Sequence, residues 1–545
     1  LAAAQGGVWK SVDGGHAWKP IFDQMPSNSV GALAVAPSDA NVIYVGGGEA
    51  NIRGNVQPGA GLFVSTDAGK TWQHTLKLRA AVGQIAVDPD DAGVAFAAVL
   101  GSPFKSGGER GVYRTQDSGA SWEPVLEVDD DTGASDVSID PNNPRIVWAG
   151  TWQARRTPWG LTSGGPGSGL WRSADGGDSW TQLKPGEKGL PKGDWGKVGV
   201  AVSPADGERI YALIEAADGG LYRSDNGGDS FERINDHWVL RQRAWYYTTI
   251  VADPWDADVV WFPQVSMLWS RDGGKTVEPV DGFSHGDHHD LWIDPEDNTR
   301  LIAGHDGGVD LSTDGGGSWR APNLPLGQFY NIDVDNRLPY HVGGTLQDMG
   351  TVSGPVLSLA NAASAVSDWR AVGGGEAGDF RYDLETPGLV YAGEYGGFLS
   401  RYQEGSGQYR NISPVVTDPL ALPASEMRQR FQWTAPVELS PHDPATIYHG
   451  ANVLYRSRDR GETWAAISPD LTRNDKAKQG WSGGPITGDN TGVEVYGTIF
   501  AIDESPLTRG EIWTGSDDGR VHVSVDDGAT WKDVTPKGLP EDATV

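Results

Sequence analysis

The sequence predicts an all-β chain folded as a multi-bladed β-propeller of four-stranded antiparallel blades, one seven-bladed propeller followed by part of a second. Three observations predict it. A short motif, Ser65-Thr66-Asp67-Ala68-Gly69-Lys70-Thr71-Trp72 in its fullest form, recurs from one end of the 545 residues to the other. Strand-like runs of four to seven residues alternate with Gly, Asp and Pro turn signals at regular spacing, and helical periodicity is nearly absent.

The motif reads as the turn of a hairpin. Its copies are Ser11/Asp13/Gly15/Trp18, Ser65/Asp67/Gly69/Trp72, Thr115/Asp117/Gly119/Trp122, Ser173/Asp175/Gly177/Trp180, Ser312/Asp314/Gly316/Trp319, Ser457/Asp459/Gly461/Trp464 and Ser524/Asp526/Gly528/Trp531. Two worn copies are Ser224/Asn226/Gly228/Phe231 and Ser270/Asp272/Gly274 with Val277. The first residue ends a strand, Asp accepts backbone N–H bonds, and Gly supplies the positive φ that closes the loop. The Trp then offers a flat surface for packing between sheets.

Inner strands are expected near 30–36, 82–88, 135–140, 198–203, 247–253, 289–294, 329–335, 377–383, 433–439 and 495–503. Residues 1–22 supply the last strands of a further, incomplete blade. The first seven turn motifs recur at intervals of 42–58 residues, after which the register blurs between 329 and 412. The expected division is therefore 1–325 as a first propeller of about seven blades and 326–545 as about four blades of a second. The alternative is one ring of ten or eleven blades. The chain begins at Leu1-Ala2-Ala3-Ala4 and ends with Glu541–Val545, where another inner strand should begin, so the rest of a longer chain is expected to complete the propellers.

A net charge of −30 argues against nucleic acid as a partner. Apolar runs such as Val259-Val260-Trp261-Phe262 are strand length, far short of the roughly 20 residues of a membrane helix. The absence of cysteine removes disulfides from the argument. No cofactor is expected.

Loops alternate between two faces. One holds the short Asp-Pro turns and every motif Asp; the other holds the long insertions 46–61, 101–111, 152–169, 234–247, 280–290, 413–431 and 468–494. Function concentrates on loops, so the second face is expected to bind a ligand, a glycan or a peptide. Ligand candidates there are Arg155, Arg156 and Trp159, and the Arg241, Arg243, Trp245 and Tyr247 stripe, which strand alternation places on one side. His285, Asp287 and His289 share one side of an extended segment and are the candidates for metal, though none is expected to be bound. Carboxylates on this face are Glu49, Asp306, Asp348, Glu376, Asp379, Glu394, Glu494, Asp517 and Asp518. The alternative function, a glycoside hydrolase acting on a polysaccharide, requires two of them facing each other across a cleft.

The repeat Ser/Thr-x-Asp-x-Gly-x-Thr/Ser-Trp is identified as the Asp-box, or bacterial neuraminidase repeat. Gln153–Trp159, Leu240–Tyr247 and Ser468–Asp475 resemble large secreted bacterial proteins described as sortilin-like or glycosyl-hydrolase-like. The architecture resembles two-propeller xyloglucan hydrolases, whose catalytic Asp residues sit in Asp-x-Gly-Gly or Asp-Gly-Gly loops. That resemblance implies Asp306 before Gly307-Gly308, Glu394 before Gly396-Gly397, and Asp518 before Gly519 as catalytic candidates. The first-blade position is Gln5-Gly6-Gly7 and carries no carboxylate. The resemblance also implies a secreted or periplasmic protein.

Overall fold

The structure, a computed structural model, describes all residues except 54–55, 359–363, 416, 417, 419, 421 and 490. Parts of the long connections 46–61, 413–431 and 468–494 thus lie outside the described residues. The fold is all-β: antiparallel sheets joined by loops, with short 3-10 turns as the helical elements among the described residues. Each of the ten segments expected as inner strands holds the first strand of a sheet, from Val30–Val35 to Ile499–Glu504.

Two compact units divide the chain. The first comprises Leu1–Thr157, Leu161–Leu326 and Gly483–Gly488. Among its described residues are seven sheets, numbered blades 1 to 7, beginning with the three strands Ala2–Ala3, Gly7–Lys10 and Lys19–Pro20 and ending with His288–Ile293, Leu301–His305 and Gly308–Ser312. In blade 7 Leu311 also bridges to Arg320, which stands where a fourth strand would. The second unit comprises Pro158–Gly160, Gly327–Ser482 and Asp489–Val545. Among its described residues are four sheets of four strands, blades 8 to 11, beginning at Phe329–Val334, Phe380–Tyr382, Val437–Leu439 and Ile499–Glu504.

Every motif copy forms the same turn. In the second copy Ser65 Oγ donates to Asp67 Oδ1 at 2.8 Å and accepts from Gly69 N at 2.8 Å, while Thr71 gives its N–H and hydroxyl to the same carboxylate at 2.9 and 2.6 Å. Hydrogen bonds from the Thr71 hydroxyl and backbone hold Asp67 at about 2, below the usual carboxylate range. Gly69 sits at φ +81°, and a Cβ there would lie 2.5 Å from Ile21 Cδ1 of the blade before. Trp72 Nε1 donates to the Ile21 carbonyl at 2.7 Å. The turn thus clamps its own blade to the preceding one.

The same contact closes the first unit. A Cβ on Gly15 of blade 1 would lie 2.6 Å from Leu311 of blade 7, and Arg320 donates to the Gly14 and Gly15 carbonyls at 2.8 and 3.3 Å. Blades 1 and 7 thus touch as consecutive blades do elsewhere in the unit. Mixed apolar clusters fill the gaps between neighbours, for instance Tyr44, Val82 and Tyr113 between blades 2 and 3, and Trp148, Val198 and Phe231 between blades 4 and 5.

Nothing in the sequence pattern marks 483–488 as part of the first unit. They belong there because Gly483 and Pro485 pair in parallel with Thr162 and Ser163. Buried Glu215 accepts from Ser163 Oγ at 2.7 Å and Lys197 N at 2.9 Å, and also bonds Thr487. Blades 8 and 9 lack the Asp-box turn, and polar contacts take its place. Arg337 reaches Glu404 at 2.6 Å, and Ser353 Oγ bonds Tyr382 at 2.6 Å and Glu404 at 2.9 Å.

Substituting Gly69→Ala combines a left-handed backbone with a clash against Ile21, so it is expected to destabilise the protein by about 1–3 kcal/mol. Gly405→Ala, where an added Cβ meets nothing within 4 Å, is expected to change stability by less than about 0.5 kcal/mol. Chemical denaturation of both variants checks the difference.

Candidate functional site

In the second unit, four connections on the loop-rich face bring carboxyl groups and aromatic rings together. Gln347 and Asp348 lie between His341–Leu346 and Gly350–Pro355. Glu376 lies in the connection from blade 8 to blade 9. Glu394 and Tyr395 sit at the turn between Leu389–Glu394 and Phe398–Gln403, and Trp433 precedes Val437–Leu439.

The local backbone is bent to aim these groups. Asp348 holds φ +62°, uncommon for a residue with a side chain. The Gly373–Gly378 loop turns through positive φ at Gly373, Gly374, Ala377 and Gly378. At Gly375 an added Cβ would sit 2.3 Å from Glu394 Cδ, so the Glu394 carboxyl packs directly over the backbone next to Glu376.

Asp348 and Glu376 hydrogen-bond each other through their carboxyl groups. Gln347 Nε2 donates to Asp348 Oδ1 at 2.6 Å and to Glu376 Oε2 at 2.7 Å, and Asp348 N donates to that same Glu376 oxygen at 3.0 Å. Burial first, then the Asp348 hydrogen bond and the charges of Asp348 and Glu394, push the Glu376 carboxyl up to about 8. The pair therefore keeps a proton at neutral pH. Burial also raises Glu394, whose carboxyl has no hydrogen-bond partner among the described residues.

Tyr395 and Trp433 stack with ring centroids 5.1 Å apart and planes 6° from parallel. Glu394, Tyr395, Phe398, Tyr409, Asn411, Asp418 and Leu420 line a cavity of about 410 Å³ open to solvent. The ensemble joins a protonated carboxyl, a second carboxyl without donors and, at the cavity wall, the Tyr395 ring backed by Trp433. Such a set can donate a proton to an ether-type oxygen and hold a sugar ring.

The other predicted residues have different surroundings. In the first unit Asp306 accepts from His289 Nε2 at 2.7 Å and lies 3.5 Å from the Tyr246 hydroxyl. Its carboxyl is lowered: burial opposes ionisation, but the His289 bond and the Arg53 charge outweigh it. Lys197, a donor only, bonds Asn51 Oδ1 at 3.0 Å, so Asn51 Nδ2 donates to His289 Nδ1 at 3.2 Å. That fixes the His289 proton on Nε2 and leaves neither ring nitrogen open as a base. Glu49 accepts from Gln5 at 3.2 Å and Gln57 N at 2.7 Å and is raised by burial.

The expected Arg241–Tyr247 stripe does not form, because the segment is not a strand. Trp238–Leu240 is a 3-10 turn, Arg243 has φ +46°, and the inner strand of blade 6 is only Val251–Ala252. Arg243 folds back over Trp245, Tyr246 and Tyr247 at 5.2, 4.8 and 5.9 Å, and Trp245 and Tyr247 are buried beneath it. Arg241 donates to the Asp236 carbonyl.

Arg155 pairs with Asp131, and Arg156 is buried with its backbone N–H bonded to the Pro103 carbonyl. Trp159 belongs to the second unit, where Lys478 lies 4.6 Å above its ring. The extended-segment alternation fails at Asp287, φ +56°, which takes the Tyr247 hydroxyl, while His285 bonds the Gly286 carbonyl and His289 faces Asp306. Among the described residues no group of three His, Cys, Asp or Glu is arranged to hold a metal ion. Asp518 anchors the loop after blade 10, accepting from Arg473 N at 2.8 Å and Ser516 Oγ at 2.6 Å.

The BNR/Asp-box repeat model matches residues 63–74. Similar proteins include a xyloglucanase of Paenibacillus sp, 25% identical over 55% of this chain and 29% of the relative. Another is a xyloglucanase of Hypocrea jecorina, 22% identical over 98% of this chain and 65% of the relative. The chain spans less than two thirds of the length of either. A crystal structure of a GH74 xyloglucanase from Xanthomonas campestris is 14% identical, with 98% of this chain and 91% of that one covered and a TM-score of 0.34. The chain is an Asp-box propeller protein that resembles xyloglucan hydrolases.

Because Glu376 binds its proton more tightly folded than unfolded, stability falls as pH rises from about 4.5, its ordinary value, to about 8. Glu376→Gln is expected to lessen that fall by about 1–2 kcal/mol, a figure already reduced for partial exposure. Denaturant titrations at pH 5 and pH 8 measure it.

Proposed function

We propose that the chain is a glycoside hydrolase acting on a polysaccharide, with Glu376 as proton donor and Glu394 as second carboxylate. Tyr395, stacked on Trp433 behind it, offers the ring against which a sugar packs. The observation that carries this reading is the Asp348–Glu376 pair, which retains a proton near neutrality beside an open, aromatic-lined cavity. The relatives named as xyloglucanases make xyloglucan the first polysaccharide to try.

The chemistry follows from the geometry. Glu376 gives its proton to the glycosidic oxygen as the bond to the anomeric carbon breaks, and the leaving sugar departs as a neutral alcohol. Asp348 and Gln347 hold the resulting Glu376 carboxylate through hydrogen bonds. Glu394, packed over Gly375 and facing the cavity, answers the positive charge growing on the sugar, and water completes the cleavage. Whether Glu394 attacks directly or through that water is read from the anomer first released.

Hydrolysis is preferred to ligand binding alone because a proton donor tuned toward neutrality adds nothing to simple adhesion. A polysaccharide substrate would be met outside the cytoplasm, which supports a secreted or periplasmic protein as part of this proposal. No helix among the described residues is long and apolar enough to cross a membrane.

Reducing-end assays on xyloglucan and a panel of other polysaccharides test the reading. Glu376→Gln and Glu394→Gln are each expected to lower kcat by about 10²–10⁴-fold. Trp433→Ala is expected chiefly to raise KM. Wild-type rates on every polysaccharide equal to those of Glu376→Gln would sink the proposal.

A further inference from the structure

We infer that Gln347 and Tyr330 are positioning residues that link the sugar-stacking surface to the proton-sharing carboxyl pair, so that occupancy of the aromatic platform is sensed at Glu376. The inference rests on the hydrolase reading for its purpose, and on hydrogen-bond direction for its substance.

The direction is fixed at each link. The indole N–H of Trp433 only donates, and it donates to the Tyr330 hydroxyl at 3.0 Å. Tyr330 therefore turns its own proton onward, and it donates to Gln347 Oε1. An amide whose oxygen is taken this way must point its two N–H groups in the other direction. They meet Asp348 Oδ1 and Glu376 Oε2 at 2.6 and 2.7 Å. With Asp348 N as a second donor to Glu376 Oε2, the shared proton is left to the Glu376 oxygen that faces Asp348.

The reversed amide would set its oxygen against two carboxyl oxygens. Tyr330 selects against that arrangement, and Trp433 orients Tyr330. The Trp433 backbone is held in turn, since its carbonyl accepts from Gly378 N at 3.1 Å. A ring settling on Tyr395 therefore presses on the Trp433 stacked against it, whose hydrogen bond reaches the proton donor in three steps. By reciprocity the protonation of the pair alters affinity for the stacked ring by the same factor. The groups acting on the Glu376 carboxyl are Asp348, Glu394 and Gln347, with Tyr395 feeling the charges of Glu394, Glu376 and Asp418.

Donors to a carboxylate favour its charged form, so removing them raises the pH at which Glu376 ionises. Infrared difference spectra of the full chain, wild type minus Glu376→Gln, follow that carboxyl directly. The wild-type midpoint is expected near 8. Gln347→Leu is expected to raise it by about one pH unit, as for a hydrogen bond to a charged group. Tyr330→Phe and Trp433→Phe, which keep ring shape but break the chain, are expected to move it the same way by about half as much.

In hydrolysis, Tyr330→Phe is expected to lower kcat by about tenfold with KM within about threefold, and to shift the alkaline limb of the pH profile with the infrared midpoint. Midpoints and limbs unchanged in Tyr330→Phe and Gln347→Leu, with both variants folded by circular dichroism, overturn the inference even if the wild type is active. Shifted midpoints in a protein that hydrolyses no polysaccharide uphold the linkage and overturn only the hydrolase reading.

Discussion

Everything in the first unit depends on one contact: an Asp-box glycine at positive φ pressed against an apolar side chain of the preceding blade. Gly69 against Ile21, Gly119 against Val64, Gly228 against Trp148 and Gly274 against Leu221 all leave no room for a Cβ. The Ser hydroxyl and Asp carboxylate brace the turn from within. Because the contact always runs from one blade to the one before it, repetition alone builds an arc. When the last blade supplies Leu311 to Gly15 of the first, the arc becomes a closed ring.

That device confines its demands to one face. Serine, aspartate, glycine and tryptophan are consumed by the turns, so the opposite connections are free to vary in length and chemistry. The two blades around the candidate site, 8 and 9, go further and lack the turn altogether. Their junction is polar instead, held by Arg337, Glu404, Ser353 and Tyr382. A junction of this kind places hydrogen-bonding groups beside the loops that carry Asp348, Glu376 and Glu394. The repeat is absent where the chemistry is proposed.

Much of the fold was legible because its signals are local. Strand, turn and strand lie within a dozen residues, so Ser65 to Trp72 announces its hairpin without help from distant sequence. The place of 483–488 in the first unit was not legible, since it rests on Ser163, Glu215 and Thr487 meeting across some 270 residues of chain beyond Glu215. The Arg241–Tyr247 stripe misled for a related reason. Alternation presumes a strand, and the positive φ of Arg243 with a 3-10 turn before it replaces that strand by a coil. As for the site, Asp348, Glu376 and Glu394 could be assigned to the right face from loop position alone. Which of nine carboxylates share a proton could not, because that is set by burial and by the meeting of Asp348, Glu376 and Glu394 from three separate loops.

The same side-chain type therefore plays two opposed roles, and the donors around it decide which. Each Asp-box carboxylate sits in solvent and collects a hydroxyl or two and a pair of backbone N–H groups, so Asp175 and Asp459, like Asp67, fall to about 2 and stay charged. Asp306 and Asp518 are likewise supplied with donors, His289 for the one and Arg473 N with Ser516 for the other. Around Asp306 the His289 bond and the Arg53 charge outweigh burial and hold the carboxyl below the usual range. Glu376 also has donors, but it shares them with Asp348, is removed from water and faces Glu394. Gln347 gives an N–H to each carboxyl, yet burial and the charges of Asp348 and Glu394 still favour keeping one proton on the pair. Reactivity in this fold arises where carboxyl groups outnumber the donors that would quiet them.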